Sequence, residues 1–77
     1  MGLKEASKFS LNDLTLRQIE IIDLVSQGYN NREIGEMLFV TERTIKNHIT
    51  NVHQFLRTEN RVQLTLWYLM EKGRLQK

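Results

Sequence analysis

The chain contains no cysteine and no proline, and its charge is nearly balanced at +2. Without cysteine there is no disulfide and no thiolate metal site, which is compatible with a reducing compartment. Without proline, helix ends have to be set by caps and glycines instead. No apolar run approaches the roughly 20 residues of a membrane span, and the first residues lack a signal-peptide core. The expected setting is therefore soluble and intracellular, with no membrane partner. His48 and His53 stand five apart, on different sides of any helix, and cannot share a metal. There is no glycine-rich phosphate loop and no pair of acids around a histidine, so neither an enzyme nor a cofactor is expected.

Seventy-seven residues make one domain, near the lower limit at which a core folds without staples. Self-association is a natural remedy, because pairing buries surface that one chain cannot. The small net charge permits nucleic-acid binding without arguing for it. What matters is where the charges sit.

Residues 1–13, "MGLKEASKFSLND", show no clear period and read as an arm, with Phe9 and Leu11 able to tuck against the body. From Thr15 onward the text reads as helices. Thr15 and Gln18 fit a capping box, opening a helix over about 16–27 with Ile21, Ile22, Leu24 and Val25 inward. Gly28 suits the left-handed residue that ends it. Asn30 and Glu33 repeat the cap for a short helix over about 31–38 that buries Ile34, Met37 and Leu38. Thr41 caps a third helix reaching about Leu56. "RTEN" breaks the chain before a fourth helix, about 61–71, which stops short of Gly73. Period-two strand patterns are absent. The expected fold is all-α: a four-helix bundle containing a helix-turn-helix, with domain limits at 14–73 and a tail at 74–77.

The stretch "VTERTIKNHITNV" at 40–52 carries the functional signal. Ile45, Ile49, Val52 and Leu56 form one apolar stripe at helical spacing. Opposite them fall Arg43, Lys46, Asn47, Thr50, Gln54 and Arg57, none of them acidic. A helix that enters the DNA major groove has to be held from behind and must offer donors in front, without carboxylates for phosphates to repel. Lys46 and Asn47 suit guanine and adenine edges, and Thr50 suits an edge or a thymine methyl. Thr41 and Thr44, in the first turn, suit a phosphate. Many solvated surface helices share such a face. The caps, the short preceding helix and the tight connection are what favour DNA.

The patterns "LT.R..E" at 14–20, "G..N.EI" at 28–34 and "T.RTIK.H..N" at 41–51 resemble the LuxR/GerE-type helix-turn-helix family of bacterial transcription regulators. The resemblance covers about residues 14–70. It implies a four-helix DNA-binding domain that pairs through its last helix and binds two half-sites as a homodimer on double-stranded DNA. It also implies the cytoplasm as location, the nucleoid when bound, and RNA polymerase as a further partner. Carried over by position, base reading falls on Lys46, Asn47 and Thr50, and backbone contacts on Asn31, Arg32, Thr41 and Thr44. Arg43 fits either role. Asn51 either touches phosphate or bonds a neighbouring helix. His48, at the edge of the stripe, is expected to pack rather than catalyse. Four positions depart from the family's habits. Gln18 stands in place of an acid, and Ile19 in place of an exposed charge. Gly35 replaces an alanine, and Phe55 a lysine that would meet phosphate.

The fourth helix is apolar on two sides: Val62, Leu66 and Leu69 on one, Leu64, Trp67 and Tyr68 on the other. Either the arm or a second copy has to cover one of them. The resemblance favours a second copy, with Leu64, Trp67 and Tyr68 as the dimer stripe and Thr65 and Glu71 at its rim; the sequence leaves open the reverse, in which Trp67 and Tyr68 fill the core and the other stripe pairs. The family usually carries a sensory or phospho-acceptor module. The chain is thus expected to be either a stand-alone regulator or an excised C-terminal domain. Two rivals to a sequence-specific regulator stand beside this: a protein-binding module that docks another regulator or RNA polymerase, and a sigma-factor-like promoter-reading fragment.

Overall fold

A computed structural model describes residues 6–75. Four helices make up the body: α1 (Leu16–Ser26), α2 (Asn31–Leu38), α3 (Glu42–Leu56) and α4 (Arg61–Leu75). A short 3-10 helix, Leu11–Asp13, precedes them, and no strand occurs among the described residues. Residues 1–5 of the arm and the last two residues of the tail lie outside the described part.

The caps explain where the helices begin. Thr15 Oγ1 accepts from the Gln18 amide at 3.1 Å while Gln18 Oε1 accepts from the Thr15 amide at 2.9 Å. Gln18 therefore closes the box that an acid would close. Asn30 and Glu33 do the same for α2, at 2.8 and 2.9 Å. Thr41 Oγ1 takes the Thr44 amide for α3, and Asn60 Oδ1 takes the Gln63 amide for α4. Each satisfies amides that a helix start leaves without an internal partner. Gly28, at φ 96°, ends α1 in the left-handed region. Phe39 and Arg57 end α2 and α3 in the same region without being glycine.

The helices close on one core. Ile21, Ile22 and Val25 of α1 meet Ile34 of α2, the Ile45–Ile49–Val52–Leu56 stripe of α3, and Leu64, Trp67 and Tyr68 of α4. Ala6, Leu11 and Leu14 complete it from the N-terminal side. α3 packs on α2 and α1, and α4 packs on α1 and the 3-10 helix.

Several expectations are corrected here. Leu64, Trp67 and Tyr68 cannot form a surface for a second copy, because they are inside this chain; Trp67 is 1% exposed. The reason lies in their polar tips. The Trp67 indole N–H donates to the Ala6 carbonyl, and the Tyr68 hydroxyl donates to Asp23 Oδ1, so both aromatics find partners only when turned inward. The arm, not a second copy, covers that side. Glu71 continues the same face and is buried rather than at a rim, with Arg74 3.6 Å from its carboxylate. The open side of α4 carries Val62, Leu66, Leu69 and Met70.

Met37 is exposed rather than core, and Ile19 is half-buried against the core rather than standing free. α4 runs through Gly73 to Leu75. A helical glycine costs only about 1 kcal/mol, and Lys72 and Arg74 in the last turn suit the negative helix end. Gly35 has a positive role: a Cβ there would stand 2.7 Å from the Val40 carbonyl oxygen. It lets the α2–α3 turn approach the helix closely.

Candidate nucleic-acid interface

α3 positions the site. Its stripe Ile45, Ile49, Val52 and Leu56 is buried, which fixes the rotation of the helix about its own axis. Burying side chains of that size stabilises by about 1.5 to 3 kcal/mol each, so turning α3 by one position would be prohibitive. The opposite face is thereby held in solvent: Arg43, Lys46, Asn47, Thr50 and Gln54 are all exposed, as is Asn51 on its flank. Arg43, Lys46 and Arg57 form no ion pair among the described residues. Their charge therefore faces water uncompensated. Glu42, at the first position, is the sole acid of the helix.

The residues expected to touch a phosphate backbone gather at two helix starts. Asn31 and Arg32 open α2; Thr41 caps α3 and Thr44 lies in its first turn. The two starts border one polar cleft of ≈ 390 Å³, lined by Gly28, Tyr29, Asn30, Asn31, Glu42 and Arg61. Arg32 is exposed, with Glu36 3.6 Å away. At such exposure the pair is worth little, and Arg32 can exchange it for another anion. The Thr41 and Thr44 hydroxyls lie 2.9 Å apart, and Thr41 Oγ1 also holds the Thr44 amide. Their first commitment is the cap.

Asn31 is half-buried and already engaged. Its Oδ1 accepts from Arg61 Nη1 at 2.8 Å, and Arg61 Nη2 donates to the Tyr29 carbonyl at 3.1 Å. Sequence reasoning missed this arginine. It stands at the first position of α4, 30 residues from its partner, and nothing in the local sequence marks it.

Behind the site, His53 Nδ1 lies 2.6 Å from Thr58 Oγ1 in the α3–α4 connection. Burial, and then the charge of Arg61, holds its pKa below the ordinary histidine value, which favours the neutral ring. His48 is half-buried at the edge of the stripe. Phe55 lies against Phe9 with ring centroids 4.6 Å apart and planes tilted by 42°. The residue that replaces a lysine is thus an anchor for the N-terminal segment. No cluster of three or more His, Cys, Asp or Glu residues suited to a metal occurs among the described residues. No helix there is long and apolar enough to cross a membrane.

A short capped helix, a tight left-handed turn at Phe39 and a longer helix seated on the first two define a helix-turn-helix domain. Residues 12–68 match the family "Bacterial regulatory proteins, luxR family", and the chain belongs to it. It is 41% identical over 64 residues to the transcriptional regulatory protein DegU of Brevibacillus brevis, covering 82% of this chain and 27% of that protein. Against the transcriptional regulatory protein LnrK of Bacillus subtilis (strain 168) it is 40% identical over 67 residues, covering 86% and 30% respectively. Against LiaR of the same organism it is 44% identical over 54 residues, covering 70% and 26%. The chain thus spans less than a third of the length of these relatives.

Proposed function

We propose that this chain binds duplex DNA sequence-specifically and regulates transcription, with α3 in the major groove. The observation that carries the reading is the acid-free face of Arg43, Lys46, Asn47 and Thr50, held outward by a stripe that cannot turn. Lys46, Asn47 and Thr50 read base edges, and Arg43 meets either an edge or a phosphate. Asn31, Arg32 and Asn51 contact the backbone, with the first-turn amides beside Thr41 and Thr44. Two copies pair through the open side of α4, where Val62, Leu66 and Leu69 are 67%, 45% and 49% exposed. A two-fold axis there sets two copies of α3 on an inverted repeat, with half-sites about 10 base pairs apart.

The test is selection of bound sequences from random DNA. An inverted repeat with half-sites spaced by about one helical turn is the expected product. Failure to enrich any sequence, together with no salt-dependent binding, would instead favour a module that docks another protein.

A further inference from the structure

The two bonds that Arg61 makes, to Asn31 Oδ1 and to the Tyr29 carbonyl, use both arms of its planar guanidinium. They join the first residue of α4 to the first residue of α2 and the loop before it. An asparagine side chain carries an acceptor at one end and two donors at the other, and shape alone allows either end inward. A guanidinium is donor only. The end of Asn31 that meets it has to be the oxygen, so the NH2 group is turned away from Arg61.

We infer that Arg61 is a positioning residue: it sets the orientation of the Asn31 amide, so that the donors rather than the acceptor meet a DNA phosphate. This rests on the reading that the start of α2 grips the DNA backbone. In the reverse orientation, the Asn31 oxygen would face phosphate oxygens, acceptor against acceptor. Arg61 also lines an apolar groove with Val25, Val62, Thr65 and Leu66, as well as the polar cleft with Asn31 and Glu42. Its stem is therefore packed on one side while its head works on the other.

The test uses the full chain and a labelled random-sequence DNA duplex at low salt, with the thermal midpoint of each variant recorded. Asn31→Asp keeps an acceptor for Arg61 but offers no donor and adds a negative charge. The expected result is an unchanged or raised midpoint with binding at least about tenfold weaker. Arg61→Met keeps the apolar stem and removes both donors, and binding should fall about three- to tenfold. Arg61→Lys, still donor only, should recover most of that loss. In an Asn31→Ala background the Arg61→Met loss should disappear, because no amide is left to orient. An equal loss in both backgrounds, or wild-type affinity in Asn31→Asp, overturns the inference and leaves the DNA reading standing. Failure of the unaltered chain to bind the duplex overturns the DNA reading itself.

Discussion

The Trp67 indole N–H donates a 2.8 Å hydrogen bond to the carbonyl of Ala6, 61 positions away in sequence. With Phe9 on Phe55, it fastens the N-terminal segment at two points, on α4 and on the last turn of α3. The segment is therefore part of the fold. Trp67→Phe would remove one of the two hydrogen bonds that the Ala6 carbonyl accepts, the Phe9 amide keeping the other at 3.0 Å, and reduce packing, at a cost of about 2 kcal/mol. In a domain this small that corresponds to a fall in Tm of roughly 10 °C. Removing residues 1–9 should lower Tm further and shift the fluorescence of the sole tryptophan to the red. An unchanged Tm after the truncation would show the segment to be dispensable.

Tyr68 and Asp23 give the fold an alkaline limit. Their bond is 2.6 Å long, and burial, then the bond and charge of Asp23, push the Tyr68 hydroxyl up to about 12. Below pH 10 the phenol is protonated in both folded and unfolded chains, and its contribution is fully present. Between about pH 10 and 12 the unfolded chain releases the proton first, so stability falls with rising pH, by at most about 2 to 3 kcal/mol. Denaturant titrations at pH 9 and pH 11 should show a loss in the wild type that is smaller in Tyr68→Phe. Equal losses in the two proteins would remove Tyr68 as the cause.

The helix starts were legible because each is written locally, as a cap and a partner three residues on: Thr15 with Gln18, Asn30 with Glu33. The outward face of α3 was legible because its apolar stripe has no competitor on the same helix. α4 offers two stripes of similar apolarity, and periodicity cannot choose between them. What chooses is long-range: an Ala6 carbonyl 61 residues from Trp67 and an Asp23 carboxylate 45 residues from Tyr68. The bond between Arg61 and Asn31, 30 residues apart, was hidden for the same reason. Gly35 stood out only as a replacement for alanine, because its use, closeness to the Val40 carbonyl, appears only once the turn has folded back.

Phe39 invites a stabilising change. It sits in the α2–α3 turn at φ 61° and is 93% exposed, so its ring contributes little packing while its Cβ meets the left-handed penalty. Phe39→Gly should raise stability by about 1 kcal/mol, read as a higher denaturation midpoint with an unchanged denaturant slope. A fall in the midpoint would mean that the ring makes a contact worth more than the relief of strain.

The proposed docking of α3 separates two kinds of contact. Lys46→Ala and Thr50→Ala should each weaken binding to the selected site by about 1 to 3 kcal/mol and change which base is tolerated there. Arg32→Ala should weaken all sequences alike and make the salt dependence shallower by about one charge. Binding isotherms on the selected site and on single-base variants, at several salt concentrations, would measure both. A change of base preference with Arg32→Ala but not with Lys46→Ala would mean that α3 enters the groove in another orientation.

Pairing through α4 is the reading with the sharpest internal control, because the two stripes of one helix now have opposite roles. Val62, Leu66 and Leu69 face outward, so a charge there meets no core. Leu66→Asp should leave the helical content and Tm near the wild-type values while abolishing self-association. Trp67→Ala should do the reverse first, costing about 3 to 5 kcal/mol of fold stability through the cavity it leaves. The apolar area on the open side is small. A few partly exposed side chains, at about 1.5 to 3 kcal/mol when fully buried, must offset the entropy lost on association. Pairing should therefore be weak in free solution and reinforced on DNA carrying both half-sites. Sedimentation of wild type and Leu66→Asp over a range of concentrations, with and without such a duplex, decides it. If the wild type stays monomeric throughout and occupies the two half-sites independently, or if Leu66→Asp sediments as the wild type does, pairing by this face is wrong.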